Sequence, residues 1–375
     1  MRILLCGGGT AGHVMPAIAI SEIVEKHFKN SEIAFAGRSG GDENTAYLST
    51  GKRLYTIDIS GIKREISVDN IKSLLKVLKS SRNARNIIKD FKPDIIIGTG
   101  GYVCYPFLRQ GQRLKIKTAI HESNVYPGLV TRMLGHKCDA LMINLDGTRK
   151  YLTKTRKIFT VGNPTRTAFS ALSKSEARSR LGIKNEEFFI VSFGGSLGAE
   201  RINYEILKFI DRYVTKHRNI RCVHATGKAH FDKAQQFFPR LLENGCTSII
   251  LPYIKDMPTY LTAADLAITR SGAMTVSELS KSATPSILIP SPNVTANHQF
   301  FNAQYMQNLG AAILIEEKDL CYDTLVHAVS RLLSSKETLD QMSKSAYRAQ
   351  PRSTEKNIIN VIKEIQALNN RKCLH

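Results

Sequence analysis

Ile3-Leu4-Leu5-Cys6-Gly7-Gly8-Gly9-Thr10-Ala11-Gly12-His13 is a short apolar run that breaks into glycines, and helical periodicity follows over Ala17 to Phe28. An uninterrupted apolar run of this length suits a strand buried on both faces, and a helix pattern behind it marks the start of a βαβ unit. Ile33 to Ala36 and, after a basic helix-like segment, Asp94 to Ile97 carry the alternation on. The pattern then begins afresh. Phe188 to Phe193 leads into Gly194-Gly195-Ser196-Leu197-Gly198 and a helix pattern from Glu200. Two strand–glycine–helix starts about 185 residues apart predict two α/β domains, each built on a parallel sheet; a single dinucleotide fold would have one such start. The turn-rich Val161-Gly162-Asn163-Pro164 is the expected junction, with domains over 1–163 and 164–347, and a basic, polar helix from about Glu355 to Leu368 closes the chain.

Composition narrows the classes of function. The 375 residues, 42% hydrophobic and 23% charged, suffice for two cores. Cys6, Cys104, Cys138, Cys222, Cys246, Cys321 and Cys373 are odd in number and scattered, with no C-x-x-C pair, which suits a reducing compartment. The apolar run after Arg2 is too short for a signal-peptide core, and no run approaches the ~20 apolar residues of a membrane span. The expectation is a cytosolic protein that lies against a membrane. A net charge of +21 implies a polyanionic partner: nucleic acid, an anionic bilayer or phosphorylated substrates. With no tryptophan, no zinc-ligand spacing and no RNP-like aromatic motif, nucleic acid is not expected among the partners.

Gly7 to His13 formally contains G-x-G-x-x-G between strand and helix, where side-chain-free backbone approaches an anion or a sugar closely and the helix start supplies positive potential. An NAD-type site expects an acidic residue near the end of the second strand. This chain has Gly37-Arg38 there, which would suit NADP at best, so the loop also admits an NADP-dependent oxidoreductase. A P-loop is excluded. His13 stands at the mouth of the loop, with a side chain suited to taking a proton from an attacking hydroxyl. Ser271 to Glu278 follows the strand-like Leu266 to Thr269; Gly272 supplies a turn, backbone N–H groups of Ala273 to Thr275 suit a diphosphate, and Glu278 suits a ribose. Asn297-His298-Gln299 to Asn302 offers amides for sugar hydroxyls. No D-x-D motif is present, so neither a metal nor a cofactor is expected.

Gly8 to His13, His121-Glu122-Ser123-Asn124, Val161 to Arg166, Gly194 to Ala199, Arg270 to Glu278 and His298 to Ala303 together resemble the MurG-type undecaprenyldiphospho-muramoylpentapeptide N-acetylglucosaminyltransferases, six motifs in order over residues 7 to about 303. The resemblance implies a GT-B glycosyltransferase: two Rossmann-like domains facing across a cleft, the first for a lipid-linked acceptor, the second for UDP-N-acetylglucosamine, and a final helix, about 348–375, returning to the first. It implies inverting transfer to the C4 hydroxyl of a muramoyl-pentapeptide lipid in peptidoglycan synthesis, with His13 or Glu122 as the base. Thr10, Ala11, Gly12, His13, Asn124, Arg166, Ser196, Ile254, Ala273, Met274, Thr275, Glu278, His298, Gln299 and Asn302 would contact the donor. In two places the chain departs from the pattern: Ser291 to Asn297 is not the acidic loop of many members, and His298 stands where others have glutamine. The residues are also compatible with a glycosyltransferase that uses another acceptor, and the charge by itself with a non-catalytic basic protein on anionic lipid.

Between Val68 and Pro93 the spacing of Ile71, Leu74, Leu75 and Leu78 predicts an amphipathic helix, flanked by Lys72, Lys76, Lys79 and Arg82. Either the stripe packs on the sheet or the segment docks on an anionic inner-leaflet surface. Tyr102 is placed with it on the acceptor side.

Overall fold

The computed structural model describes residues 1–41, 43–59, 68–155, 157–165, 169, 172–195, 198–237 and 248–370, with the main chain alone at 68–78, 237 and 368–370. The chain divides into two compact units, Met1–Pro164 with Pro351–His375, and Thr165–Gln350.

The first unit carries β1 (Arg2–Gly7), β2 (Glu32–Arg38), β3 (Arg53–Ile57), β4 (Ile95–Gly100), β5 (Lys117–Glu122), β6 (Ala140–Ile143) and β7 (Ile158–Thr160) in the order β3-β2-β1-β4-β5-β6-β7, every pair parallel. Ile3 to Cys6 are all fully buried because alternate residues of β1 enter two different cores. Ile3 and Leu5 meet Val14, Ala17, Ile20 and Val24 of the helix Ala11–His27, together with Ile358, Val361, Ile362 and Ile365 of the final helix, Thr354–Asn370. Leu4 and Cys6 meet Ala84, Ile88 and Phe91 of the helix Val68–Phe91 and Phe107 and Leu108 of the helix Cys104–Arg113. Helices on both faces explain why the strand reads as one apolar run without alternation. The final helix is also tied by Glu355, whose carboxylate meets Lys26 at 2.9 Å and His27 at 2.5 Å.

The second unit repeats the plan with β8 (Phe188–Phe193), β9 (Ile220–Ala225), β10 (Ile249–Leu251), β11 (Leu266–Thr269), β12 (Ser286–Leu288) and β13 (Ala312–Leu314) in the order β10-β9-β8-β11-β12-β13, again parallel. Ile190, Ile268 and Ile287 of its sheet pack with Ile202, Ile206, Phe209 and Ile210 of the helix Glu200–Arg212 and with Val329 and Leu332 of the helix Tyr322–Leu333.

In each sheet the strand order reverses once, between β1 and β4 and between β8 and β11. At such a point the connections leave toward opposite faces and open a crevice at the carboxyl ends of the strands. Three helices satisfy first-turn N–H groups with side chains: Ser173 forms a capping box, and Asp256 and Ser335 accept from Thr259 and Thr338. The helices Ala11–His27 and Ala273–Ser282, which begin at the crevices, start from Thr10 and Gly272 with no side-chain cap and no acid in the first turn. A helix start without an acid lends positive potential to an anion placed against it.

Candidate active site

In the first unit, the turn between β1 and the helix Ala11–His27 is built for close approach. Gly7 and Gly8 are buried while Gly9, Thr10 and Ala11 are exposed, so the loop rises out of the sheet toward solvent. Three side chains hold its base. Tyr47 Oη donates to the Gly7 carbonyl at 3.0 Å, Thr99 Oγ1 donates to the His13 carbonyl at 2.7 Å, and Cys104 Sγ donates to the Cys6 carbonyl at 3.0 Å. Burial pushes the Cys104 thiol up to about 12, so it serves as a donor and not as a thiolate. Across the crevice, Gly8 N donates to Gly100 O at 3.3 Å.

His13 is half-buried at this point, and its ring is oriented by backbone. Nδ1 lies 3.0 Å from the Gly8 carbonyl oxygen and 3.3 Å from Thr10 Oγ1. A carbonyl oxygen only accepts, so Nδ1 carries the proton and Nε2 presents its lone pair. That is the tautomer a general base needs. The ring lies directly against Gly100: a Cβ there would stand 2.2 Å from Cδ2 and 2.8 Å from Nε2.

Glu122, the other candidate base, is committed elsewhere. It is 6% exposed; Oε1 accepts from Asn124 N at 3.1 Å, and Oε2 accepts from Gly128 N at 2.9 Å and Thr131 Oγ1 at 2.7 Å. These bonds fold the 123–128 loop around the carboxylate and present Asn124 on it. Among the described residues Glu122 makes no bond to His13, so it does not orient that ring. His121 is equally inward: burial lowers its pKa to about 4, and its Nε2 donates to Gly162 O at 3.2 Å. Tyr102 lies half-buried in the turn after β4, at the same end of the sheet.

In the second unit, Gly195 and Gly198 take φ of +93° and +81°, and a Cβ on Gly198 would stand 2.1 Å from Thr226 O, so that turn closes tightly on the end of β9. Behind it runs a buried chain of bonds. His224 Nδ1 accepts from Ser192 Oγ at 3.1 Å, Nε2 donates to Asn203 Oδ1 at 3.2 Å, and Asn203 Nδ2 donates to Thr226 O at 2.8 Å. Burial holds His224 neutral by lowering its pKa to about 3. The other turn, Arg270 to Gly272, starts the helix whose first residues are Ala273, Met274 and Thr275, and half-buried Glu278 lies further along it. Asn302 Nδ2 donates to Ser271 O at 3.0 Å, Ser271 Oγ donates to Gln299 O at 2.7 Å, and Gln299 Oε1 accepts from Ser291 N at 2.9 Å. Asn302 is fully buried, which places it behind the turn. His298 Nδ1 donates to Thr295 O at 2.7 Å, at the end of a loop in which Ala296 and Asn297 both take positive φ, 56° and 52°. Consecutive non-glycine residues in that region store strain that persists only where surrounding structure enforces it. Ile254 is buried in the turn after β10.

Thus Thr10, Ala11, Gly12, His13, Tyr102, Glu122 and Asn124 collect at the carboxyl ends of the first sheet, and Ile254, Ala273, Met274, Thr275, Glu278, His298, Gln299 and Asn302 at those of the second. Arg166 and Ser196 lie outside the described residues. So do the side chains of Lys72, Leu74, Leu75, Lys76 and Leu78, whose main chain belongs to the helix Val68–Phe91; Lys79 and Arg82, further along it, are exposed. Sequence reasoning passed over Tyr47, Thr99, Gly100 and Cys104. The Gly98-Thr99-Gly100-Gly101 run at the end of β4 is the signal from which the partner turn was readable.

Residues 3–143 match the N-terminal domain of glycosyltransferase family 28, and residues 189–362 match its C-terminal domain. The UDP-N-acetylglucosamine–N-acetylmuramyl-(pentapeptide) pyrophosphoryl-undecaprenol N-acetylglucosamine transferase of Acetivibrio thermocellus is 38% identical over 365 residues, 97% of this chain and 98% of that protein. The chain belongs to this transferase family. The Lactococcus lactis member is 36% identical over 97% of the chain and 99% of its own length. The crystal structure of Acinetobacter baumannii MurG superposes with a TM-score of 0.80 at 24% identity, covering 96% of this chain and 99% of that one. A Neisseria meningitidis UDP-GlcNAc 2-epimerase bound to UDP-GlcNAc shares the fold at a TM-score of 0.67 and 13% identity, covering 97% and 100%. As a family 28 member the protein is a glycosyltransferase with the GT-B fold, built from the two parallel-sheet units described above. The oxidoreductase reading of Gly7 to Gly12 falls with that assignment.

Proposed function

We propose that this enzyme moves N-acetylglucosamine from UDP-N-acetylglucosamine to a muramyl-pentapeptide carried on pyrophosphoryl-undecaprenol, the transfer that completes the lipid-linked disaccharide of peptidoglycan. The observation that carries the reading is end-to-end similarity to transferases of that name. The acceptor C4 hydroxyl oxygen attacks the anomeric carbon, the bond from that carbon to the diphosphate oxygen breaks, and UDP leaves with the electron pair. Attack opposite the leaving group inverts the α-linked donor to a β-1,4 product. His13 Nε2 takes the hydroxyl proton; the bond between Nδ1 and Gly8 O supports this role, since it reserves the other nitrogen for the reaction. N–H groups of Ala273, Met274 and Thr275 meet the charge on the departing diphosphate. Glu278 holds the ribose and Gln299 the sugar, while Arg166, Ser196 and Ile254 are assigned to the nucleotide by motif.

The acceptor lipid cannot leave its bilayer, so the enzyme works at the anionic inner face of the membrane as a peripheral protein. Among the described residues no helix is long and apolar enough to cross a membrane. Charge supports docking through the first unit: residues 1–164 and 351–375 hold 31 Lys and Arg against 15 Asp and Glu, net +16, leaving +5 of the total +21 to residues 165–350. The deciding assay supplies labelled UDP-N-acetylglucosamine and the lipid-linked muramyl-pentapeptide and looks for labelled disaccharide lipid together with UDP. Donor bound without transfer to that acceptor, while another acceptor is glycosylated, would reject the reading.

A further inference from the structure

Thr99 lies within β4 but falls out of its pairing with β1. Cys6 pairs with Gly98 and Gly7 with Gly100, so the register shifts at this point and Thr99 is the extra residue of a bulge. Such a bulge re-aims a side chain, and bulges gather beside active sites for that reason. Thr99 is 1% exposed, so its hydroxyl is turned inward, beneath the glycine turn, where no substrate reaches it. Oγ1 donates to the His13 carbonyl at 2.7 Å and stands 3.2 Å from the Cys6 carbonyl. A hydroxyl has one proton to give, and the shorter contact takes the larger share. Gly7 leaves the space for it: a Cβ on that residue would stand 2.4 Å from Thr99 Oγ1 and 2.9 Å from His13 O.

The ring of His13 is held at Nδ1 by Gly8 O at 3.0 Å and lies against Gly100, where an added Cβ would meet Cδ2 at 2.2 Å. With the ring so closely bounded, a shift of the His13 main chain carries Nε2 with it or breaks the bond to Gly8. We infer that Thr99 is a positioning residue: it acts through the His13 carbonyl to set where Nε2 stands at the carboxyl end of the first sheet. The inference rests on the assignment of His13 as base proposed above. It has a consequence that a merely structural threonine lacks. In Thr99→Val a methyl replaces the hydroxyl, and carbon approaches a carbonyl oxygen no closer than about 3.3 Å, so the His13 main chain must withdraw by about 0.6 Å from its present 2.7 Å. A reacting group misplaced by about 1 Å costs on the order of 10²-fold in rate, so this smaller shift predicts a loss of about tenfold.

The test is steady-state kinetics of full-length Thr99→Val, Thr99→Ser and Ser21→Ala on the lipid acceptor at varied UDP-N-acetylglucosamine, after thermal unfolding has shown which variants are folded. Thr99→Val should lower kcat about tenfold at an unchanged KM for the donor, and Thr99→Ser, which keeps the hydroxyl, should stay within about twofold of the parent. Ser21→Ala deletes another buried hydroxyl bond of the same helix, from Oγ to Ile18 O at 2.7 Å, and should lower the unfolding midpoint while leaving kcat and KM alone. Should Thr99→Val not fold, Thr99→Ala frees the carbonyl without crowding it, carries the test in its place and must lower kcat by about threefold or more. Parental kcat in the folded valine or alanine variant would overturn the inference. So would a serine variant as slow as the valine one, or a loss confined to the KM for the donor. Parental turnover by His13→Ala in the same assay would instead refute the assignment of His13 itself.

Discussion

Gly100→Ala should disable transfer without touching the donor. The native φ of +123° is one that L residues rarely adopt, and the new Cβ would stand 2.2 Å from His13 Cδ2, where ordinary contact begins at 3.4 Å. The imidazole must retreat by the difference, about 1.2 Å. Its bond to Gly8 O, now 3.0 Å, cannot survive such a displacement unless the loop moves too. A reacting group misplaced by about 1 Å costs on the order of 10²-fold in rate, so kcat should fall by roughly that factor. Backbone strain adds a stability loss of about 1–3 kcal/mol to the first unit. Gly51→Ala is the control, since Gly51 also has positive φ, +71°, but nothing lies within 4 Å of its added Cβ. It should share the strain and keep parental turnover. The measurements are steady-state kinetics on the lipid acceptor, UDP affinity by calorimetry and thermal unfolding of each variant. If folded Gly100→Ala turns over within threefold of the parent, the position of the His13 ring is not what the chemistry requires.

Glu278→Ala is expected to weaken UDP binding by about 1.5–3 kcal/mol, the loss typical of charge-assisted hydrogen bonds; unaltered affinity in calorimetry would remove Glu278 from the ribose site. Acid should destabilise both units before the carboxylates titrate. His121 and His224 are held neutral by burial, with pKa values of about 4 and about 3 against an ordinary 6.5. Depressed folded values mean that the unfolded chain binds more protons between pH 6.5 and 4, so stability present above pH 6.5 is lost on the way down, by about 2 kcal/mol per histidine at pH 5. Urea unfolding at pH 7 and pH 5 reads this out, and midpoints that do not move would show that neither imidazole is held neutral. Replacing Lys72, Lys76, Lys79 and Arg82 with glutamine should reduce sedimentation with anionic vesicles and activity on the lipid acceptor while leaving UDP affinity intact; full sedimentation at moderate salt would place the docking surface elsewhere.

Sequence by itself determined the two-fold plan of this protein, because burial on both faces of a parallel strand leaves a continuous apolar run that no neighbour in space can disguise. Ile3 to Cys6 and Phe188 to Phe193 announce their strands in that way, and the glycines behind them announce turns that no other residue makes as readily. The excess of Lys and Arg, the turn at Gly162-Asn163-Pro164 and the placing of His13 at the start of a helix were equally local. What a polar side chain does once its backbone is placed is not local. Glu122 looks like a ligand in the sequence because carboxylates in loops usually are. The fold buries it and commits it to the main chain, at Asn124 and Gly128. The tautomer of His13 depends on Gly8 O, and the room for its ring depends on Gly100, 87 positions along the chain. Gly100 became a neighbour of that ring only when β4 paired with β1, for hydrogen bonding and packing are settled by proximity in space, and residue type alone carries no record of which partner the fold will supply.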